Sequence, residues 1–306
     1  MRRVKVCMVL ATVAAISCGC GGGRVVTSHT VLTQVQRPVA KDATREELLD
    51  QYNSIARGTK TLNATVELKP TTGSKYSGII DEYHEVKAFL LAARPAQIRV
   101  IGQAPVVGTT VFDMASDGEA FRVSIPSKNK FLVGPVAVER ASSKPIENLR
   151  PQHLLDALLW PEIRKEEAVY LKEFNDENAR YYVLTVLRGG YQTEVLREIW
   201  FDRADLQVAR LQTFGPKGIL LSDVRLSDWR PLEGATGQSA PAAPASGVAS
   251  FPRAIRIDRP RDDYRLDLQI MKITVNEEIP AERFNLDPPA GAELVHVGDA
   301  MENRQP

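Results

Sequence analysis

The chain has 306 residues, with 39 Lys and Arg against 38 Asp and Glu and a formal net charge of +1. So even a balance leaves no basic footprint and excludes nucleic acid as the expected partner. Three cysteines, all within the first twenty residues, exclude a disulfide framework for the rest of the chain, which at 43% hydrophobic residues must rely on its own core.

The chain opens with Arg2, Arg3 and Lys5, followed by an uncharged, mostly apolar run over 6–16. A membrane-spanning helix needs about twenty apolar residues, so this run is too short to span and suits the apolar region of a secretory signal. Ala15-Ile16-Ser17 then stands before Cys18. The order of basic tip, apolar run, small residues and cysteine resembles the bacterial lipoprotein signal. That resemblance implies cleavage after Ser17, with Cys18 carrying diacylglycerol and palmitate. Cys20 is a competing site with a poorer triplet before it. Ordinary secretory cleavage is the other alternative, and it leaves two thiols whose disulfide, across one residue, would be strained. Gly21 to Gly23 read as a flexible tether. The expected divisions are a signal over 1–17 and a tether over 18–41. Gly19, where a retained lipoprotein often has Asp, implies an outer-membrane location facing the periplasm.

Thr44 and Glu47 form a capping-box pattern, and Leu48, Leu49, Tyr52 and Ile55 make one apolar helical stripe that stops at Gly58. The period then changes to two. Leu62, Ala64, Val66 and Leu68 alternate with polar residues, as do Phe121, Val123 and Ile125, then Tyr182, Leu184 and Val186, and later Tyr264, Leu266, Leu268 and Ile270. Such alternation marks strands with one buried face. Turn signals separate them at Asp117-Gly118, 175–178, Gly189-Gly190, 202–205 and 215–218. About ten or eleven strands are expected from these signals. A second helix starts at Pro151, carries Leu154, Leu155, Leu158, Leu159 and Trp160, and stops at Pro161, with His153 and Asp156 on its polar side. The Ala/Pro/Ser-rich stretch 233–250 reads as a disordered loop between two strands, and 298–306 as a tail. The fold expected over 42–297 is mainly β (α+β). It is a single large antiparallel sheet, curled into a half-barrel because a wide sheet tends to curl, with two helices on its concave face.

The order of these pieces resembles the outer-membrane lipoprotein localisation family, the LolA carriers and LolB acceptors. The segments that carry the resemblance are REELLDQYNSIARG, LNATVELK, ARPAQIRVIGQAPVVGTTVFDMASDGEAFRVSIP, LLDALLWP and IPAERFNLDPPAGAELV. It implies an apolar cavity for the acyl chains of lipoprotein or lipid cargo. Leu154, Leu155, Leu158 and Trp160 would form the lid side, and Ile98, Val100, Phe112, Phe121 and Val123 the sheet side. The plainer reading of these residues is a filled core. The loop Ala104-Pro105-Val106-Val107-Gly108 matches the acceptors' membrane-contact loop, with Val106 and Val107 at its tip; a buried turn is the alternative. The implied partners are the membrane through the anchor, the acyl cargo and a periplasmic carrier protein. An envelope sensor or assembly lipoprotein of the same fold, binding a protein instead, is the other expectation.

No catalytic motif is expected. The four histidines, His29, His84, His153 and His296, lack partners at metal-ligand spacing, and no cofactor motif is present. Asp81, Glu82, His84 and Glu85 read as a solvated strand edge, and Arg261-Asp262-Asp263 as a charged turn. There is no nucleophile elbow. The expectation is a binding protein and not an enzyme.

Overall fold

Thr44 caps the first helix, α1 (Arg45–Gly58). Its hydroxyl accepts from the Glu47 amide at 3.2 Å, and the Glu47 carboxylate accepts from the Thr44 amide at 2.8 Å. This is the reciprocal arrangement of a capping box, satisfying two amides the helix cannot. The computed structural model describes residues 38–74, 79–82, 84–137, 148–176, 179–189, 193–232 and 248–297. The signal over 1–17, Cys18, Cys20, the tether as far as 37, His29 and the tail over 298–306 lie outside the described residues.

After α1 come β1 (Thr61–Ser74), β2 (Ile79–Glu82), β3 (Val86–Ala93), β4 (Gln97–Gln103), β5 (Thr110–Ser116), β6 (Ala120–Ile125) and β7 (Lys130–Pro135). Helix α2 (Pro151–Leu158) intervenes, with Pro151 in its first turn where a missing amide costs nothing. Then follow β8 (Ala168–Asn175), β9 (Arg180–Arg188), β10 (Glu194–Asp202), β11 (Val208–Gly215), β12 (Ile219–Pro231), β13 (Ser250–Arg259), β14 (Tyr264–Val275) and β15 (Glu293–His296). All fifteen described strands join one sheet. Its order is β15, β7, β6, β5, β4, β3, β1, β14, β13, β12, β11, β10, β9, β8, with β2 paired to β1 off this path.

Alternation places the core. Leu62, Ala64, Val66 and Leu68 of β1 are all buried, as are Ile273, Ile270 and Leu268 of β14 opposite the last three. A bulge beside Thr65 and Val66 leaves Met271 unpaired, and its side chain is 60% exposed. The inner faces of the strands and the buried faces of both helices make one apolar cluster. Helix α2 packs on β4, β5 and β13. Four strand steps separate β4 from β13. That is ~19 Å on a flat sheet, against a helix ~10 Å across. The sheet therefore curls around the helices, which lie on its concave side.

The outer face of one half is covered by the chain's own end. Phe284 packs on Leu91 and Ala93, and Leu286 on Ala115 and Phe131. Arg99 holds this strap by donating to the carbonyls of Arg283 and Asn285, both at 3.0 Å, while its other side pairs with Asp113. The strap ends as β15, which runs parallel to β7. The sheet is thus antiparallel except at this closing pair.

The fifteen strands exceed the ten or eleven expected from alternation. The short β2 and β15, and β8 with its sequence AVYLKEFN, carry no clean two-residue period. The Asp117-Gly118 signal is the turn between β5 and β6. There Gly118 takes φ of 96°, and the Asp117 carboxylate accepts from the Glu119 and Ala120 amides. Of the low-complexity stretch, 233–247 lie outside the described residues, and Val248 at its end is buried in the inner cluster.

Candidate functional site

The site starts from the short helix α2. Leu154, Leu155 and Leu158 recur at helical spacing, so one face of the helix is apolar and must be covered. Leu154 is fully buried, Leu155 and Leu158 nearly so, and Trp160 just beyond the helix is 2% exposed. On the sheet side, Ile98 and Val100 are fully buried beneath the helix. Phe112 and Val123 are half-buried against the same cluster. The Phe112 ring lies over Gly102, its cross-strand partner, in space that a side chain at 102 would need: a Cβ there would stand 2.3 Å from the ring. Phe121 is buried too, but beside the start of α2, where the Arg150 guanidinium lies 4.5 Å from its ring centre.

The predicted lid and sheet residues therefore meet, apart from Phe121, in one buried apolar layer. Two clefts elsewhere on the surface have different linings. One of about 290 Å³ lies beside Gly134 and His296. The other, about 740 Å³, is bounded by charged side chains including Arg164, Arg188 and Arg197.

Polar contacts hold α2 at both ends. Beyond its C-terminus, Trp160 stacks on Tyr52 of α1 at 5.7 Å and meets Trp229 edge-on at 6.2 Å. The Tyr52 hydroxyl donates to the Pro161 carbonyl at 2.9 Å, and burial pushes its pKa up to about 12. Asn53 donates to the Ile163 carbonyl and accepts from the Ile163 amide. Arg94 joins the two helices by donating to the carbonyls of Ala56 and Trp160, each at 2.7 Å, and of Thr59 at 2.9 Å. At the other end, His153 shares a hydrogen bond with the Tyr264 hydroxyl and stacks on its ring. Burial, with Arg259 and Arg150 nearby, holds His153 well below the usual imidazole range; burial raises Tyr264. Both groups are therefore neutral near pH 7.

Sequence reasoning set His153 on the wet side of α2; the structure turns it against Tyr264. Asp156 does reach solvent. Arg94 and Asn53 were missed. Asn53 carried a signal, a polar side chain beside an apolar stripe; Arg94 had none, because its three acceptors are backbone carbonyls.

Val106 and Val107 sit at the tip between β4 and β5, 95% and 74% exposed. The Ala104 amide donates to the Thr109 carbonyl and the Gly108 amide to the Ala104 carbonyl, with Gly108 at φ of 66°. The same β4 that lies under α2 thus runs out to an apolar tip in water. His84, Glu85 and His296 are exposed, and the side chains of Asp81 and Glu82 lie outside the described residues. Arg261 to Asp263 do form a turn, with Asp262 paired to Arg259 at 2.7 Å. Among the described residues, no group of three His, Cys, Asp or Glu side chains is placed to hold a metal ion, and no helix is long and apolar enough to cross a membrane.

No protein-family model matches the chain, and no curated protein matches it significantly. Solved structures do. A LolA superfamily protein from Nitrosomonas europaea is 12% identical, over 80% of this chain and 99% of that one, with a TM-score of 0.46. A DUF1329 family protein from Desulfovibrio piger is also 12% identical, over 78% and 94%, with a TM-score of 0.49. A protein of Vibrio parahaemolyticus, described as an outer membrane lipoprotein-sorting domain, is 11% identical over 78% and 94%, with a TM-score of 0.48. At these identities the similarity assigns no role to any residue.

Proposed function

We propose that this chain is a lipid-anchored protein of the periplasm that accepts acyl chains of a lipoprotein or lipid between α2 and the sheet, in transfer to the outer membrane. Cys18 is its anchor, a periplasmic carrier its donor, and the Val106-Val107 tip its membrane contact. The observation that carries the reading is the apolar layer under α2, closed by a short helix held through polar contacts at its two ends.

Magnitudes make the exchange feasible. Lifting Leu154, Leu155, Leu158 and Trp160 into water costs roughly 6–12 kcal/mol, at about 1.5–3 kcal/mol per side chain. A cargo chain of about fifteen methylenes withdrawn from water returns ~12 kcal/mol. Cargo entry and lid closure are therefore nearly balanced, as a protein that must release its cargo requires. The Val106-Val107 tip adds a small apolar probe continuous with β4.

The test is titration of the full chain with a triacylated lipopeptide, followed by tryptophan fluorescence and native mass spectrometry. Trp160 moves with the lid and reports its displacement. Saturable binding with a Trp160 signal, strengthened by Leu158→Ala because less apolar surface is lifted into water, is the expected result. No binding by either method overturns the reading. It would favour an envelope sensor or assembly lipoprotein that binds a protein.

A further inference from the structure

The two ends of the sheet are built differently. One ends in β15, four residues long and parallel to its neighbour. The other ends in β8, eight residues long, paired along its whole length with β9, and with no strand beyond it among the described residues. An edge strand presents a row of unsatisfied amides and carbonyls, and proteins usually blunt it with proline, charge or brevity. β8 has no proline, and both its charges are engaged, Lys172 with Glu198 at 2.7 Å and Glu173 with Arg203 at 3.1 Å. On the same outer face, Tyr170 is 63% and Phe174 43% exposed. Phe174 and Tyr181 meet Trp200 edge-on at 5.1 and 5.6 Å, so an aromatic patch runs to the edge.

We propose that β8 is the seam of a symmetric homodimer, two copies pairing β8 against β8 antiparallel about a two-fold axis at Leu171. A row of backbone donors and acceptors is matched by another strand. Residues directly opposite must share a face, so the axis must pass through a residue and not between two. The two axes with the longest overlap pass through Leu171 and Lys172. The second stacks Lys172 on Lys172, which like-charge repulsion disfavours. The first sets Leu171 against Leu171, Tyr170 against Lys172, Phe174 against Ala168 and Val169 against Glu173. Each ring then faces a small side chain or a long one with a cationic head, and no like charges meet. The seam is away from α2, so it stands independently of the acyl-binding reading.

The test is sedimentation velocity of the full chain over a concentration series, with Tyr170→Lys and Tyr170→Glu. Tyr170 is exposed, so both variants fold, which thermal denaturation checks. The wild type is expected to dimerise. Tyr170→Lys faces Lys172 twice across the axis and weakens association roughly tenfold. Tyr170→Glu faces the same lysine favourably and weakens it less. A chain that stays monomeric, or self-association untouched by Tyr170→Lys, overturns the proposal. Equal weakening by both variants overturns the axis at Leu171.

Discussion

The two faces of the sheet solve opposite problems. Under the helices, side chains of the strands from β5 to β9 in sheet order merge into one apolar cluster, with polar groups meeting it at the two ends of α2. On the outer face over β11 to β14 the rows are charged. Arg210, Arg225, Arg256 and Asp267 stand in register on neighbouring strands, and Gln212, Asp223, Asp258 and Arg265 form the next row. Within these rows like charges lie opposite one another, as Arg225 does to Arg256 and Asp223 to Asp258. The rows are tolerable because opposite charges also pair: Arg210 with Asp223 from one row to the next at 2.6 and 2.5 Å, and Arg265 with Asp258 within the second row at 2.5 Å. The inner face is stabilised by area withdrawn from water, so a change there is felt in proportion to volume. Most of the outer face stays wet and its exposed pairs are worth little, whereas Arg210–Asp223, with the Asp223 side chain 8% exposed, is largely shielded.

The largest expected effect is therefore on the inner face. Leu154→Ala removes a fully buried side chain and is expected to cost about 2–5 kcal/mol, read as a lower denaturant midpoint. A cost well below 1 kcal/mol would mean that the layer under α2 is already open. The lost volume is also space for an acyl chain, so added lipopeptide should restore more stability to this variant than to the wild type.

Next comes Arg94. Its guanidinium is the donor to three carbonyls of α1 and the α2 exit, and burial lowers its pKa. Arg94→Ala leaves those carbonyls without it and is expected to cost about 1.5–3 kcal/mol, the range for hydrogen bonds to a charged group. Arg94→Lys should recover only part, because an ammonium cannot reproduce the planar fork. Full recovery by lysine would mean that charge, and not the join between the helices, is what matters there.

These two sites differ in how far the sequence announced them. Leu154 was legible because its neighbours Leu155 and Leu158 repeat at helical spacing, and Tyr52 because Leu48, Leu49 and Ile55 share its stripe. The strands of β1, β9 and β14 were legible for the same reason, period and burial coinciding. Arg94 was not, since the acceptors of a side chain that binds backbone carry no side-chain signature. The strap was legible only as a segment, IPAERFNLDPPAGAELV, whose resemblance is to a closing strand: Phe284 and Leu286 lie outside any strand and cover the outer face of β3, β5 and β7. His153 was misplaced because helix phase assigned it to water, whereas the curl of the sheet brings Tyr264 up against it.

His153 sets a smaller effect, one with a sign. Its folded pKa lies well below that of a free imidazole, through burial first and then Arg259 and Arg150. An unfolded imidazole titrates near about pH 6.5. Above that pH neither state binds the proton, and the full stability is present. As pH falls below it, the unfolded chain gains a proton that the folded chain refuses, so stability is lost toward the folded pKa. Tyr264 stays protonated throughout this window. Asp156 is open to solvent, so the upward push of burial on its carboxyl counts for little, and Asp262 is paired with Arg259. Denaturation between about pH 7.5 and about pH 5 should therefore show a loss that His153→Gln flattens. An unchanged slope in that variant would place the acid response elsewhere.

The smallest effect belongs to the outer face and probes whether it is wet. The Arg265 side chain is 47% exposed and that of Asp258 19%, at 2.5 Å. In a double-mutant cycle, Arg265→Ala and Asp258→Ala should couple by less than about 1 kcal/mol, and added salt should weaken the coupling. Water and ions reach this pair in the lone chain, so most of the Coulomb attraction is screened, and holding the two side chains together costs rotamer freedom. A coupling above about 2 kcal/mol that ignores salt would require low dielectric around the pair. Among the described residues the strap covers the outer face over β3 to β7 and not over β13 and β14, so such a dielectric would mean that this open face is covered. The measurement thus separates a face that stays in solvent from one that a partner covers, and the open rows of charge predict the first.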